Sequence, residues 1–333
     1  MWYKSIIRPL LFCLDPELAH DVALKGLRYA APLLSKTPAG KATQVMGITF
    51  PNRVGLSAGL DKNGDYILAL SKLGFGFIEV GTVVPLPQAG NPRPRLFRLT
   101  ERHALINRMG FNSKGLEYCI CRIEKLNRQI ILGVNIGKNL QTPVERAVDD
   151  YIICMRRVYP HASYITINIS SPNTPGLRQL QQEQQLRQLL QDLKHEQHQL
   201  HQQFERYVPL AVKIAPDLTD KEIINMADIF VECNIDGVIA TNTALSRRAV
   251  MGMRHAQEIG GLSGEPIFDS STHVLEVLAQ RLAGKIPLMG VGGIHDEQTA
   301  RQKIAAGAEL IQIYTGLIYE GPELVRRLVN ALN

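Results

Sequence analysis

Several common catalytic signatures are missing from this sequence. It contains no P-loop, no HExxH and no Gly-x-Ser-x-Gly elbow, which leaves P-loop nucleotide hydrolysis, zincin-type proteolysis and α/β-hydrolase chemistry without support. Cysteine is scarce and unpatterned. Cys13, Cys119, Cys121, Cys154 and Cys233 are an odd set of five. Cys119 and Cys121 are separated by one residue rather than two, and no second pair follows at zinc-site spacing, so no structural zinc is expected. An odd count without a framework points to free thiols in a reducing compartment. The N-terminus lacks a long apolar run. LLFCL, bounded by Pro9 and Asp15, is too short for a signal-peptide core or a membrane span, and no small-residue cleavage site follows. There is no low-complexity tail longer than a helix. The net charge of +6 among 333 residues is modest. It suits an anionic small molecule, membrane surface or nucleic acid, but solubility alone explains it.

What is present describes a soluble globular chain, 45% hydrophobic and 20% charged, able to bury one large core or two smaller ones. Asp15-Pro16-Glu17 reads as a helix start, with a capping aspartate, proline in the first turn and an acid near the positive dipole end. Leu18, Val22 and Tyr29 share one face of that helix. Ala23, Leu27, Ala30 and Leu34 share a neighbouring one, with Lys25 and Arg28 interspersed. Such helices fit a membrane interface or an ordinary cover packed on the main domain; the pattern alone favours the cover.

Beyond residue 45, apolar runs recur, most of them followed by a loop and a helical pattern: 54–59, 77–82, 130–136, 164–170, 209–214, 236–242, 287–293 and 310–316. They are continuous in their middles rather than alternating, as strands buried on both faces are. About eight such units predict a (β/α)8 TIM barrel with a small N-terminal helical extension. A doubly wound open sheet is the competing architecture. Thr219 with Glu222 predicts a capping box. The Gln-rich stretch carrying Leu186, Leu189, Leu190, Leu193 and Leu200 predicts a solvated helix with one core face. Segment 83–112 reads as a long, Pro-rich, non-helical loop of the kind that is functional or disordered.

In such a barrel the chemistry sits where strands end. The ends here carry Ala58-Gly59-Leu60-Asp61-Lys62, Gly81-Thr82, Asn135 to Asn139, Asn168, Lys213, Thr241-Asn242-Thr243, Gly292-Gly293 and Tyr314-Thr315-Gly316. Repeated around one rim, they suggest a polar ring above the mouth. Glycine-rich loops after the last two strands predict a phosphate site built from backbone N–H groups; a pair of tight turns is the plain alternative. Asp61 is the only acid at a strand end, so no metal site is expected. Lys213 places positive charge where an electron-accepting ring would become anionic, or else serves as a buried salt-bridge lysine.

AGLDKNG, GFGFIEVGTVVPLPQAGNPRPRLFRL, LINRMGFN, GVNIGKN, NISSPNTPGLR, VKIAPDL, DGVIATNT, GGLSG, GVGGI and LIQIYTG occur in order between about Leu14 and the C-terminus. Together they resemble the class 2 dihydroorotate dehydrogenases. The resemblance implies FMN-dependent oxidation of dihydroorotate to orotate in pyrimidine biosynthesis, with electrons passed to a membrane quinone. It implies FMN contacts at Ala58, Gly59, Lys62, Thr82, Asn135, Asn168, Lys213, Thr241, Gly264, Gly293, Tyr314 and Thr315. Substrate contacts are implied at Lys62, Asn107, Arg108, Met109, Gly110, Phe111, Asn168, Asn173, Asn242 and Thr243. It makes Ser171 the catalytic base, where class 1 members carry cysteine, and leaves the activation of that serine open. Ser170 is expected to be structural. His20, Arg98 and Tyr314 match positions lining a quinone tunnel in relatives. Residues 1–40 then become a membrane-facing hood and 41–333 the catalytic barrel, with the protein peripheral on the cytoplasmic face of the cell membrane. Two other chemistries share features with this sequence. A phosphate-binding barrel isomerase or lyase would have no use for Lys213 with the asparagine ring, and an RNA-directed flavin reductase is expected to carry an added basic domain.

Overall fold

Eight apolar runs, rich in Val, Ile and Leu, become the parallel strands of a closed barrel, because residues buried on both faces need no alternation. The computed structural model of the chain describes residues 2–33, 40–126 and 129–333. The strands are β1 (Thr43–Val45), β2 (Ile48–Phe50), β3 (Val54–Leu56), β4 (Phe77–Val83), β5 (Leu96–Leu99), β6 (Ala104–Asn107), β7 (Leu132–Ile136), β8 (Tyr164–Asn168), β9 (Leu210–Ile214), β10 (Gly237–Ala240), β11 (Gly261–Gly264), β12 (Leu288–Val291) and β13 (Leu310–Ile313). The barrel runs β3-β4-β7-β8-β9-β10-β12-β13 and closes from β13 back to β3, every pair parallel. This is the expected (β/α)8 architecture, and each predicted run supplies one barrel strand.

Helices α1 (Arg8–Phe12) and α2 (Pro16–Ala30) precede the barrel. The rest alternate with its strands: α3 (Ile67–Ser71), α4 (Leu116–Ile123), α5 (Ala147–Val158), α6 (Glu183–Phe204), α7 (Asp220–Glu232), α8 (Phe268–Leu282), α9 (Glu297–Ala305), α10 (Thr315–Glu320) and α11 (Glu323–Ala331). α6 is the Gln-rich helix, and its five leucines are buried while most of its glutamines face water. The capping box at Thr219 opens α7 as the sequence predicts.

Two elements depart from the expectation. β1 and β2 form a hairpin turned by Met46 and Gly47, both at positive φ, the geometry of a tight two-residue turn. Val45 and Phe50 pack against Phe77, Tyr164, Ile239, Met289 and Leu310, sealing that end of the barrel core. Segment 83–112 is also more ordered than a loop. β5 and β6 pair antiparallel within it, and β11 adds to β6, giving a three-stranded sheet. LFRL buries alternate residues, but its four letters do not alternate in polarity and prolines surround it, so the sequence pattern hides the strand.

The N-terminal helices lie on this sheet and on α10. Tyr3 donates its hydroxyl to Ile318 O at 2.6 Å and Arg8 donates to Tyr319 O at 2.9 Å. Arg98 of β5 donates to the carbonyls of Leu11, Phe12 and Leu14 and sits 4.5 Å from the Phe12 ring centroid. Asp15 caps α2 through the N–H groups of Glu17 and Leu18. Ala19 and Leu24 are buried, whereas the Leu18, Val22 and Tyr29 face is exposed. Leu34 and the expected boundary at 40/41 fall on or beside residues outside those described.

Candidate active site

Backbone sequence brings the strand ends together; side-chain chemistry then makes a cavity of them. One cavity spans the barrel mouth and reaches α2, lined by residues from every part of the rim. Of the residues assigned to a cofactor, all but Asn135 line it; of those assigned to substrate, all but Arg108; of those assigned to quinone, His20 and Tyr314 but not Arg98.

Asn135 lies just beneath the wall. Its Oδ1 accepts from Thr82 Oγ1 at 2.5 Å and from Asn168 Nδ2 at 3.1 Å, and Asn168 Nδ2 also donates to Thr82 at 2.9 Å. Three strand ends, β4, β7 and β8, are thus locked by one amide–hydroxyl triangle. Below it, Asn135 donates to the fully buried Glu79, which also accepts from Tyr164 and Gln312. Sequence reasoning missed Glu79, Gln312 and Ser57. Each sits inside an apolar strand or beside one, where only the closed barrel shows that it points inward.

Lys213 stands at the end of β9, almost fully buried, and donates to Ser57 Oγ at 3.1 Å. Burial pushes its pKa down and the Glu79 carboxylate draws it partly back. Lys62 donates to Gly59 O at 2.7 Å. Desolvation lowers its pKa to about 8, against the pull of Glu17. His20 is pushed to about 4, first by burial and then by the Lys62 charge, so it is neutral over the physiological range. Burial raises Tyr314 to about 12.

The loop after β8 divides its polar groups. Ser171 faces the cavity, nearly buried, and its Oγ accepts from Asn173 N–H at 3.3 Å. Among the described residues no acid or imidazole is hydrogen-bonded to it. Ser170 points inward instead, donating to Asn168 Oδ1 at 3.3 Å and accepting from Asn242 Nδ2 at 3.0 Å, the structural part expected of it. Arg178 holds the loop from behind through Ser170 O, Thr243 O and Asp217. Asn173 donates to Asn107 Oδ1 at 3.2 Å, joining this loop to β6.

Two arginines serve elsewhere. Arg108 pairs with Glu258 at 2.6 Å and stacks 4.6 Å from the Phe97 centroid, which turns its guanidinium away from the cavity. Arg98 is taken up by the carbonyls of α1 and the loop after it, where a cation at a helix C-terminus is favourable. Among the described residues no group of three His, Cys, Asp or Glu side chains is gathered as an ion would need.

This cavity offers two lysines of lowered basicity, a ring of neutral amides, a serine and glycine loops. Such a set suits a planar, phosphate-bearing cofactor above a flat polar substrate with one negative charge. The family profile of dihydroorotate dehydrogenase matches residues 41–333. The chain is 53% identical to dihydroorotate dehydrogenase (quinone) of Pseudomonas fluorescens strain SBW25, over 98% of each chain. It is 54% identical to the enzyme of that name from Saccharophagus degradans, again over 98% of each. Among solved structures, ligand-free DHODH from Eimeria tenella superposes with a TM-score of 0.88 at 41% identity, covering 96% of this chain and 94% of that one. The same protein in complex with ferulenol gives 0.87 at 40% identity, over 96% and 90%. The chain belongs to the dihydroorotate dehydrogenase family, in its quinone-linked class, and is an oxidoreductase with a quinone as electron acceptor.

Proposed function

We propose that this enzyme oxidises (S)-dihydroorotate to orotate on FMN, in the pathway to pyrimidine nucleotides, and passes the electrons to a membrane quinone. The observation that carries the reading is the joining of Ser171, Lys213, Lys62 and the asparagine set in one cavity that continues to α2. FMN fits the residues present. A Cβ on Gly293, at φ 77°, would meet the backbone of Phe268 at 2.5–2.8 Å, so the backbone there is bare and close enough to hold a phosphate. Gly264, Gly293, Tyr314 and Thr315 would hold that phosphate end. Thr82, Asn135, Asn168, Thr241 and Lys213 would hold the ring, with Ala58, Gly59 and Lys62 beside it. When bound, FMN supplies the hydride acceptor and the route for electrons to the quinone.

The chain's own groups do the rest. Lys62 holds the substrate carboxylate, and Asn107, Asn168, Asn173, Asn242 and Thr243 pair with the ring amides, rejecting analogues that would leave these groups unpaired. Met109, Gly110 and Phe111 close the pocket, while Arg108 holds this segment from outside through Glu258. Ser171 Oγ takes the proton from C5 while hydride leaves C6. Lys213 keeps positive charge where the cofactor gains electrons. His20 and Tyr314 line the quinone end, and Arg98 acts there by fixing α1.

The N-terminal segment (residues 1–40), which carries α1 and α2, forms the quinone hood on the catalytic domain (41–333), resting peripherally on the cytoplasmic face of the cell membrane. Supporting this is their outer row of apolar side chains, Trp2, Ile6, Ile7, Leu10, Leu18, Val22 and Tyr29, all exposed. No helix among the described residues is long and apolar enough to cross a membrane. The test is direct: purified protein should be yellow, bleach anaerobically with dihydroorotate, and recover colour with a quinone but not with fumarate or NAD. A colourless protein that FMN cannot reconstitute defeats the proposal.

A further inference from the structure

One fully buried cation plays no part in the chemistry above. Lys303, on α9, has no solvent exposure. Its Nζ donates to Ser271 Oγ at 2.6 Å and lies 5.0 Å from the Phe268 ring centroid. Lysines at this depth are ordinarily ion-paired, yet no carboxylate forms an ion pair with it among the described residues. Asp269 and Glu276 act on it from α8, but they do not offset burial, which pushes its pKa down to about 7. An amine left so is either a liability or waiting for an anion.

Ser271 shows where that anion belongs. Its Oγ, itself fully buried, lies 3.0 Å from Phe268 O and 3.1 Å from Gly292 O; its single hydroxyl hydrogen serves one carbonyl at a time. A Cβ on Gly292 would meet Ser271 Oγ at 2.7 Å. The stem of Lys303 packs against β12, its Cβ 3.3 Å from where a Gly290 Cβ would stand. The amine is therefore two hydrogen bonds from the Gly292–Gly293 loop, and while both glycines line the cavity, Lys303 and Ser271 do not.

We infer that Lys303 is a positioning residue for a dianionic phosphate at the Gly292–Gly293 loop: it supplies buried positive charge from behind and fixes the loop through Ser271 without touching the ligand. The inference rests on the FMN reading and specifies which end of that cofactor depends on this charge. In a site sheltered from water the attraction between an ammonium and a phosphate dianion is only weakly screened. A ligand that lacks the phosphate should not sense it.

The experiment compares FMN with riboflavin. Dissociation constants of both are measured by flavin fluorescence on wild-type enzyme, Lys303→Met and Lys303→Gln. Methionine keeps the apolar stem, and glutamine keeps a donor for Ser271 but no charge. The expected result is FMN binding weakened about tenfold or more in both variants, with riboflavin binding unchanged. Equal weakening of both flavins, wild-type preference in the glutamine variant, or failure of both variants to fold by circular dichroism would each overturn the assignment and leave Lys303 as a packing residue. Wild-type protein that binds riboflavin and FMN equally also overturns it, whereas wild-type protein that binds neither defeats the FMN reading itself.

Discussion

The barrel and the N-terminal helices obey opposite rules. In the barrel strands, Val54, Val80 and Ile165 are fully buried, and at the mouth Asn135, Thr82 and Asn168 satisfy one another. In the helices, the polar contacts face the barrel and the large apolar groups face out, with Leu10 66% and Tyr29 83% exposed. Glu17, Arg8, Arg98 and Tyr3 make the junction. The segment directs its hydrogen bonds to its own protein and leaves its hydrophobes free, the arrangement the proposed membrane contact would use.

That contrast can be pressed from the barrel side first. Ser171→Ala is expected to slow reduction of the bound flavin by dihydroorotate by about 10²–10⁴-fold while FMN content is unchanged; stopped-flow absorbance reads it, and a parental rate would end the assignment of the base. Next comes packing. Phe77→Ala empties a site between Phe50 and Tyr164 and should cost about 3–5 kcal/mol in urea unfolding. Leu10→Ala should cost less than about 0.5 kcal/mol; equal costs would erase the distinction between the two regions.

From the helix side, Leu10→Ser and Leu18→Ser should each weaken partitioning onto anionic lipid vesicles by about ten- to a hundredfold, since each removes about 1.5–3 kcal/mol of apolar side chain from the lipid surface, with flavin reduction untouched. Vesicle sedimentation measures this, and unchanged binding would make the exposed row incidental. The effect of pH is graded. Lys62 is protonated below about 8, and a bound carboxylate would raise that value. The KM for dihydroorotate should therefore be flat below pH 8 and climb by up to about tenfold per unit above it, with kcat changing less. A KM that falls above pH 8 would remove Lys62 from the substrate carboxylate.

Much of this is legible in the sequence alone. Strands buried on both faces announce themselves as unbroken apolar runs, and all eight barrel strands were found that way. The glycine loops and Lys213 stand at strand ends, where sequence order alone assigns a place. Other features hid for physical reasons. The β1–β2 hairpin is two three-residue strands joined by Met46-Gly47, too short for period to register. Glu79 looks like an exposed residue in a strand until closure of the barrel turns it inward. Arg108 sits in a run that the family resemblance assigns to substrate, yet its long side chain reaches Glu258, a partner 150 residues away that no local pattern reveals.

Trp2 is the only tryptophan in the chain, and it stands 78% exposed on the outermost helical segment. Tryptophan emission from this protein therefore originates outside the barrel altogether. That indole already stands in water, so barrel unfolding should leave its emission nearly unchanged, whereas an apolar surface laid over the outer row should shift it to the blue. The size of that shift on anionic vesicles is an optical reading of what covers the exposed face.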